Sequence, residues 1–462
     1  MLMMRLLRAL VVLASCLAWI AAQADDAMLL GTGGVIVAGP TNMIAPLMMF
    51  VPSPSDSSTT YWPLAANPST AAAVPGNAGT VIAVAGRISN FSINTTLSTY
   101  TGSGWTFSVY RSTTTMAGSF SSIMSCTITN GNTSCSDTSN VTLAVGDILS
   151  IQSAPPASQA STANFAVSLL FTSNDTTAPL MVSGVGSNIV ASTYYPIGNL
   201  ANGNGSGNAT EVNISDLIPA GATISGLIFV VKNAPGTAAS GKSWTATLYH
   251  ETAGNCASAG TGATSLAATI LETAVKATDT SPGDGFTVGQ NDCVSVYITS
   301  ANTPANSGQW SIGVVWSPST AGEYPLFESA ASAPTTTANA VRYVAIPGQN
   351  NTAGWYTSDP ATGASGTTPP QGGSYSYTTM TARDLSYLEN TTVGGNGRSL
   401  TFRVANADQS PTVSVASGAV GGNSSNSYSV PASSLITVKT TQGSSNGNAQ
   451  TWGKISFGIV TQ

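Results

Sequence analysis

His250 is the only imidazole in the chain, and it stands beside Glu251 at the end of the alternating run Lys242-Ser-Trp244-Thr-Ala-Thr-Leu-Tyr249. Metal and acid–base chemistry need several such groups in concert, and no second imidazole is present to complete a zinc site. Serine hydrolysis lacks its base as well, because no Gly-x-Ser-x-Gly elbow is followed by a later histidine. Paired carboxylates can cleave glycosides without histidine, but nineteen acids scattered over 462 residues form no local pair. The best cation loop is Asp279-Thr-Ser-Pro-Gly-Asp284-Gly. Its two acids fall short of a calcium ligand set, and Asp in such a turn serves equally as a backbone cap. The residues therefore predict no enzyme, no catalytic or metal-ligating set and no resident cofactor, with calcium at this loop the one ion left open.

The other reactive groups are five cysteines. Met1 to Arg8 carries two arginines and no acid, an apolar run follows to Ala22, and Ala22-Gln23-Ala24 has the small-residue pattern of a cleavage site. This reads as a signal peptide over 1–24. Two other readings are a membrane anchor and, from Leu13-Ala14-Ser15-Cys16, a lipoprotein leader that keeps a lipidated Cys16. Removal of the leader leaves Cys126, Cys135, Cys256 and Cys293, an even number suited to disulfides in an exported chain. Cys126 and Cys135 lie symmetrically about Asn130-Gly131, so a two-residue hairpin turn would set them opposite each other as a non-hydrogen-bonded pair. Cys256 and Cys293 then pair by elimination. Free buried thiols or a metal site are the alternatives.

Charged residues are only 7% of the chain, where about 25% is usual, so solubility must rest on Ser, Thr, Asn and Gly. The hydrophobic fraction of 42% is enough for real cores and argues against disorder. A net charge of −6 with no basic cluster excludes nucleic acid and anionic membrane surfaces as expected partners.

The elements that must position these residues are short β-branched runs cut by Gly, Pro, Asn and Ser, the pattern of sandwiches or barrels. One order of features recurs three times. Each copy opens on an aromatic near a Pro-rich loop: Tyr61-Trp62-Pro63, Tyr194-Tyr195-Pro196, and Tyr343 before Pro347-Gly348. A largely apolar strand follows from Thr80, from Ala222 and from Met380. An alternating anchor comes next, with Trp105, Trp244 and Leu400 aligned, 139 and then 156 residues apart. Aromatic-led strands close the copies, from Phe165, Trp310 and Trp452. Period-two alternation buries one face of each anchor. The spacing suits whole domains, so the prediction is an all-β chain of three tandem antiparallel β-sandwiches: an arm over 25–40, then 41–176, 177–320 and 321–462.

In the first copy, Val141-Thr-Leu-Ala-Val-Gly146-Asp147-Ile-Leu-Ser-Ile151 reads as strand, tight Gly-Asp turn, strand. This turn and the Phe165 to Phe171 strand resemble those of tumour-necrosis-factor-like and complement globular-head jelly rolls. The resemblance implies a jelly roll that packs in threes and binds proteins, without catalysis. The other copies depart from the motif, with Gly289-Gln-Asn-Asp292-Cys293 and Pro431-Ala-Ser-Ser434-Leu435 at the same place. Three linked sandwiches are compatible with a pseudo-threefold cluster or with a linear rod.

Two functions follow. The first is a secreted or cell-surface structural protein of a layer, appendage or shell, which contacts other subunits including copies of itself. The alternative is an adhesin or lectin-like module that meets a carbohydrate or host protein through the loop aromatics Trp62, Tyr195 and Trp355.

Overall fold

A computed structural model of the chain describes residues 29–30, 36–37 and 42–461, apart from 52–57, 65–70, 96–103, 157–164, 185–187, 199–206, 254–255, 257–261, 331–336, 345–373, 377, 390–391, 395, 406 and 445–452. The leader, Pro347-Gly348, Trp355 and Trp452 lie outside the described residues. A two-stranded pair, β1 (Leu29–Leu30) and β2 (Ile36–Val37), stands in the arm. All remaining strands belong to six five-stranded antiparallel sheets.

The first pair of sheets contains β3 (Ile44–Val51), β4 (Thr60–Trp62), β5 (Thr80–Val81), β6 (Gly86–Thr95), β7 (Trp105–Ser112), β8 (Ser121–Ile128), β9 (Ser134–Asp137), β10 (Val141–Leu143), β11 (Ile148–Ala154) and β12 (Phe165–Ser173). The second contains β13 (Ala178–Gly184), β14 (Thr193–Tyr195), β15 (Asp216–Leu217), β16 (Ala222–Val231), β17 (Ser243–Glu251), β18 (Ala263–Leu271), β19 (Lys276–Asp279), β20 (Phe286–Val288), β21 (Cys293–Ala301) and β22 (Trp310–Pro318). The third contains β23 (Glu323–Ala330), β24 (Val341–Val344), β25 (Ser374–Ser376), β26 (Met380–Glu389), β27 (Arg398–Val404), β28 (Ala407–Val415), β29 (Gly421–Ser424), β30 (Tyr428–Val430), β31 (Ser434–Gln442) and β32 (Gly453–Thr461).

The connectivity repeats strand for strand. One sheet of the first sandwich runs β10-β6-β12-β3, with β9 also on β6, and the other runs β4-β11-β7-β8, with β5 also on β11. With the split strands β4/β5 and β9/β10 each taken as one, the chain has eight strand positions, paired 6-3-8-1 and 2-7-4-5. That is the jelly-roll order of two interleaved Greek keys. Both later sandwiches have the same order. The long third strand carries a bulge in every copy, against β12, β22 and β32. At that point stand Asn90 and Asp384, with φ of 54° and 52°, and Gly226, residue types that tolerate an irregular backbone.

Alternation fills the cores. In β7, Trp105, Phe107 and Val109 are buried, and the Trp105 and Phe107 rings pack on Phe165 with centroids 4.9 and 4.6 Å away. Trp244, Ala246 and Leu248 follow suit in β17. In the third copy the register corrects the sequence alignment. The fourth strand pairs with the seventh through Arg111 and Leu149, His250 and Val294, and Val404 and Ile436. The residue six earlier is Trp105, Trp244 and then Arg398, so the equivalent of tryptophan is a buried arginine and Leu400 aligns with Phe107. Likewise Gly453, not Trp452, stands at the place of Phe165 and Trp310.

The three sandwiches close on one another. β5 of the first lies against β22 and β13 of the second, β15 of the second against β32 and β23 of the third, and β25 of the third against β12 and β3 of the first. Each seam thus uses the same edge strand on the same neighbouring sheet, which is a pseudo-threefold ring rather than a rod.

Candidate functional site

The turns with chemical side chains hold the backbone. Asp147 accepts the Ala144 N–H at 2.9 Å, and Asp292 accepts the Gly289 N–H at 2.6 Å, each closing the turn between strands six and seven. The residue before each takes a left-handed conformation: Gly146, Asn291 and, in the third copy, Ser433. Equivalent nitrogen-bearing side chains face the two acids, Arg111 at 3.7 Å from Asp147 and His250 Nε2 at 2.7 Å from Asp292 Oδ2. His250 also stacks on Phe286, and Asp292 Oδ1 accepts the Ala253 N–H, so this pair closes a loop.

Asp279 has a twin that sequence reading missed. Asp137-Thr-Ser139 and Asp279-Thr-Ser281 occupy the same place, in the break between the two halves of the sixth strand. Asp137 accepts N–H groups from Ser125 and Ser139, each at 2.8 Å, and Asp279 accepts them from Ala267 at 2.8 Å and Ser281 at 3.2 Å. Burial alone would raise the carboxyl pKa of Asp279, but these bonds hold it below its ordinary value. Both oxygens of the calcium candidate are thus committed to the backbone, and Asp284 contributes its N–H to the same turn. The repeated Asp-Thr-Ser was the available signal.

Cys126 is bonded to Cys135, and Cys256 to Cys293. The predicted hairpin between the first two is not there. β8 pairs with β7 in one sheet and β9 with β6 in the other, so Asn130-Gly131 turns the chain from sheet to sheet. The bond therefore clasps the two layers, with Cα atoms 5.6 Å apart.

The aromatics chosen as ligand contacts are corrected by burial. Trp62 is 1% exposed and Tyr195 0%, because each pairs in register with the seventh strand and points into the core. Tyr195 packs on Trp310 at 4.5 Å, which leaves no face for a ligand. The residues before them are the half-buried ones, on the opposite face of the sheet. Tyr61 meets Tyr110 edge-on at 5.6 Å and 87°, and Tyr194 meets Tyr249 in the equivalent way at 5.3 Å and 87°. Tyr297 joins the second pair, 4.4 Å from Tyr194, where the first sandwich has Gln152 bonded to Tyr61. Burial, then neighbouring Tyr249 and Glu211, pushes the Tyr194 phenol up to about 12. In the third sandwich the Arg403 guanidinium covers Tyr343 at 5.1 Å, and both Arg403 and Lys439 pair with Asp408.

The seams are equally specific. In the first, Val81 N–H donates to Ser311 Oγ at 3.0 Å and Ser183 Oγ donates to Thr80 Oγ1 at 3.2 Å. A side chain at Gly313 would meet Ala83 Cβ at 3.0 Å and Val81 O at 3.1 Å. In the second, Tyr324 donates to the Pro179 carbonyl at 3.0 Å, and Lys454 Nζ reaches Ser215 Oγ. In the third, Thr461 Oγ1 donates to the Ile44 carbonyl at 3.1 Å.

No family model matches the chain, and no curated protein matches it. Among solved structures it is similar to the triple jelly roll fold of an archaeal virus, at 11% identity over 94% of this chain and 88% of that one, with a TM-score of 0.16. A second similar structure is that of Sulfolobus turreted icosahedral virus, at 10% identity over the same shares, 94% and 88%, with a TM-score of 0.15. A third is a peptide-N(4)-(N-acetyl-β-D-glucosaminyl) asparagine amidase, at 11% identity over 60% of this chain and 97% of that one, with a TM-score of 0.18. Scores this low carry no argument, and the fold assignment rests on the strand order above.

Proposed function

We propose that this chain is an exported structural protein, a pre-assembled block of three jelly rolls for a surface layer, appendage or shell. The observation that carries the reading is the closed ring of seams combined with unlike outer faces. Strand order and seam geometry keep one plan, whereas the equivalent outward-facing positions hold Tyr61, Tyr110 and Gln152, then Tyr194, Tyr249 and Tyr297, then Tyr343, Arg403 and Lys439. A block that meets different neighbours on its different sides needs such divergence, since interfaces are set by local complementarity. Cross-linked cysteines suit an oxidising compartment, and the leader pattern suits export. The family resemblance adds a precedent for packing in threes, here joined within one chain.

Electron microscopy of the purified secreted protein over a concentration series tests this. Ordered lateral arrays or closed shells are expected, and isolated particles at every concentration would contradict it. The adhesin reading draws on the edge-on pair of half-buried tyrosines repeated in the first two sandwiches, since aromatic rings can stack on neutral sugars. Selective glycan-array binding that is lost in Tyr194→Ala would favour it.

A further inference from the structure

The three seams share equivalent positions, and among the described residues only the second seam holds a lysine and an aspartate at them. Register places Thr80, Asp216 and Ser374 at one site of the edge strand, and Ser311, Lys454 and Ala166 at one site of the neighbouring sheet. In the first seam these positions hold Thr80 and Ser311, bridged by Ser183 Oγ at 3.2 and 2.8 Å. In the second they hold Asp216 and Lys454, whose Nζ reaches Oγ of the adjoining Ser215. The second seam thus buries a lysine whose neighbouring charges are the carboxylates of Asp216 and Glu211. Lys454 is 1% exposed, Asp216 0% and the adjoining Glu211 1%.

The surroundings of this pair are those an acyl transfer requires. Asp216 Oδ2 accepts two backbone N–H groups, from Ile197 and Gly198, each at 2.7 Å, which is the arrangement that stabilises charge developing on a carbonyl oxygen. Glu211 is held in place by Ser295 Oγ at 2.7 Å and provides a second carboxylate to carry protons. Water is excluded. Burial, opposed by Asp216 and Glu211, pushes the Lys454 ammonium down to about 7, so an uncharged amine is accessible at neutral pH.

We propose that Lys454 and Asp216 condense to an amide that staples the second sandwich to the third. The ammonium gives one proton, through Glu211, to the Asp216 carboxylate, and the freed Nζ lone pair attacks Cγ. Negative charge gathers on Oδ2 under the two N–H groups. Collapse breaks the bond from Cγ to the other oxygen, which departs as water with a second proton taken from Nζ through Glu211. An ammonium and a carboxylate become one neutral amide and one water, so no outside reagent is consumed. Two buried charges disappear in the process, and relief of their desolvation favours the product where bulk water would favour hydrolysis.

Tryptic mapping of the folded, secreted protein after denaturation and reduction tests the proposal. Trypsin cleaves after a free Lys454 but not after an acylated one. The expected result is a branched peptide that joins the Asp216 segment to the Lys454 segment and is lighter by one water than the two linear peptides. The branch should be absent from Lys454→Arg and Asp216→Ala, and Glu211→Gln should be folded with the branch largely lost. Linear peptides with cleavage after Lys454 in the wild-type protein would overturn it. So would a branch that survives Asp216→Ala.

Discussion

Arg398 occupies in the third sandwich the strand position that Trp105 holds in the first. Trp105 packs its ring on Phe165, whereas the equivalent of Phe165 is Gly453, and Arg398 instead forms an ion pair of 2.7 Å with Glu389. Tyr387 and Gln442 complete this buried polar cluster, with Gln442 Oε1 accepting from Arg398 at 2.8 Å. One site of one fold is thus filled by two opposite chemistries.

Loss of the aromatic should be felt as a cavity. Trp105→Ala and Trp244→Ala are each expected to destabilise by about 3 to 5 kcal/mol, because both side chains are core residues with little freedom to be replaced by solvent. Denaturant titration checks this. A ΔΔG below about 1 kcal/mol would show that the sites collapse or are surface positions.

In the third sandwich the corresponding change strands a charge. Arg398→Ala leaves Glu389 buried and uncompensated, at a cost of about 3 to 5 kcal/mol, whereas Arg398→Met with Glu389→Gln should recover most of that loss. The double-mutant cycle reads the difference directly.

The third sandwich should also have a pH-sensitive stability. Burial, then the neighbouring Asp384, raises the Glu323 carboxyl from 4.5 to about 7. A folded pKa above the unfolded one means that the contribution is fully present below about pH 4.5 and is lost as pH rises through about 7. The melting temperature of the full chain should fall across that window, and Glu323→Gln should flatten the slope. An unchanged slope in the variant would assign the effect elsewhere.

Reduction of the inter-sheet clasp should have a modest effect. Cys126→Ser with Cys135→Ser opens a short loop, with an expected loss of about 2 to 3 kcal/mol on the loop-entropy model. Calorimetry of the double variant measures it.

Much of this architecture was legible in the chain. The alternation through Trp105 and Trp244, the β-branched runs and the recurring order of features specified strands and three copies, because burying one face of a sheet leaves a period of two in the sequence. The cysteine pairs were legible too, but not the path between Cys126 and Cys135. An Asn-Gly turn looks the same whether it joins neighbours in one sheet or crosses between two. Arg398 was missed because a cation at an inward position reads as an outward one until Glu389, from another strand, is known to meet it. Trp62 and Tyr195 were misread as loop residues, since strands of three residues are too short to leave a periodic signal. The seams could not be read at all, because Lys454 and Asp216 lie 238 residues apart in sequence and are joined only by the ring.

Closure of the three sandwiches into a single block is the claim on which the proposed function depends, and small-angle X-ray scattering of the monomer tests it most directly. A compact ring spanning 44–461 should have a radius of gyration of about 22 Å on the globular scaling, with a distance distribution of a single near-symmetric peak. A distinctly larger radius with an extended tail would describe sandwiches strung end to end, and would contradict both the ring and the block built from it.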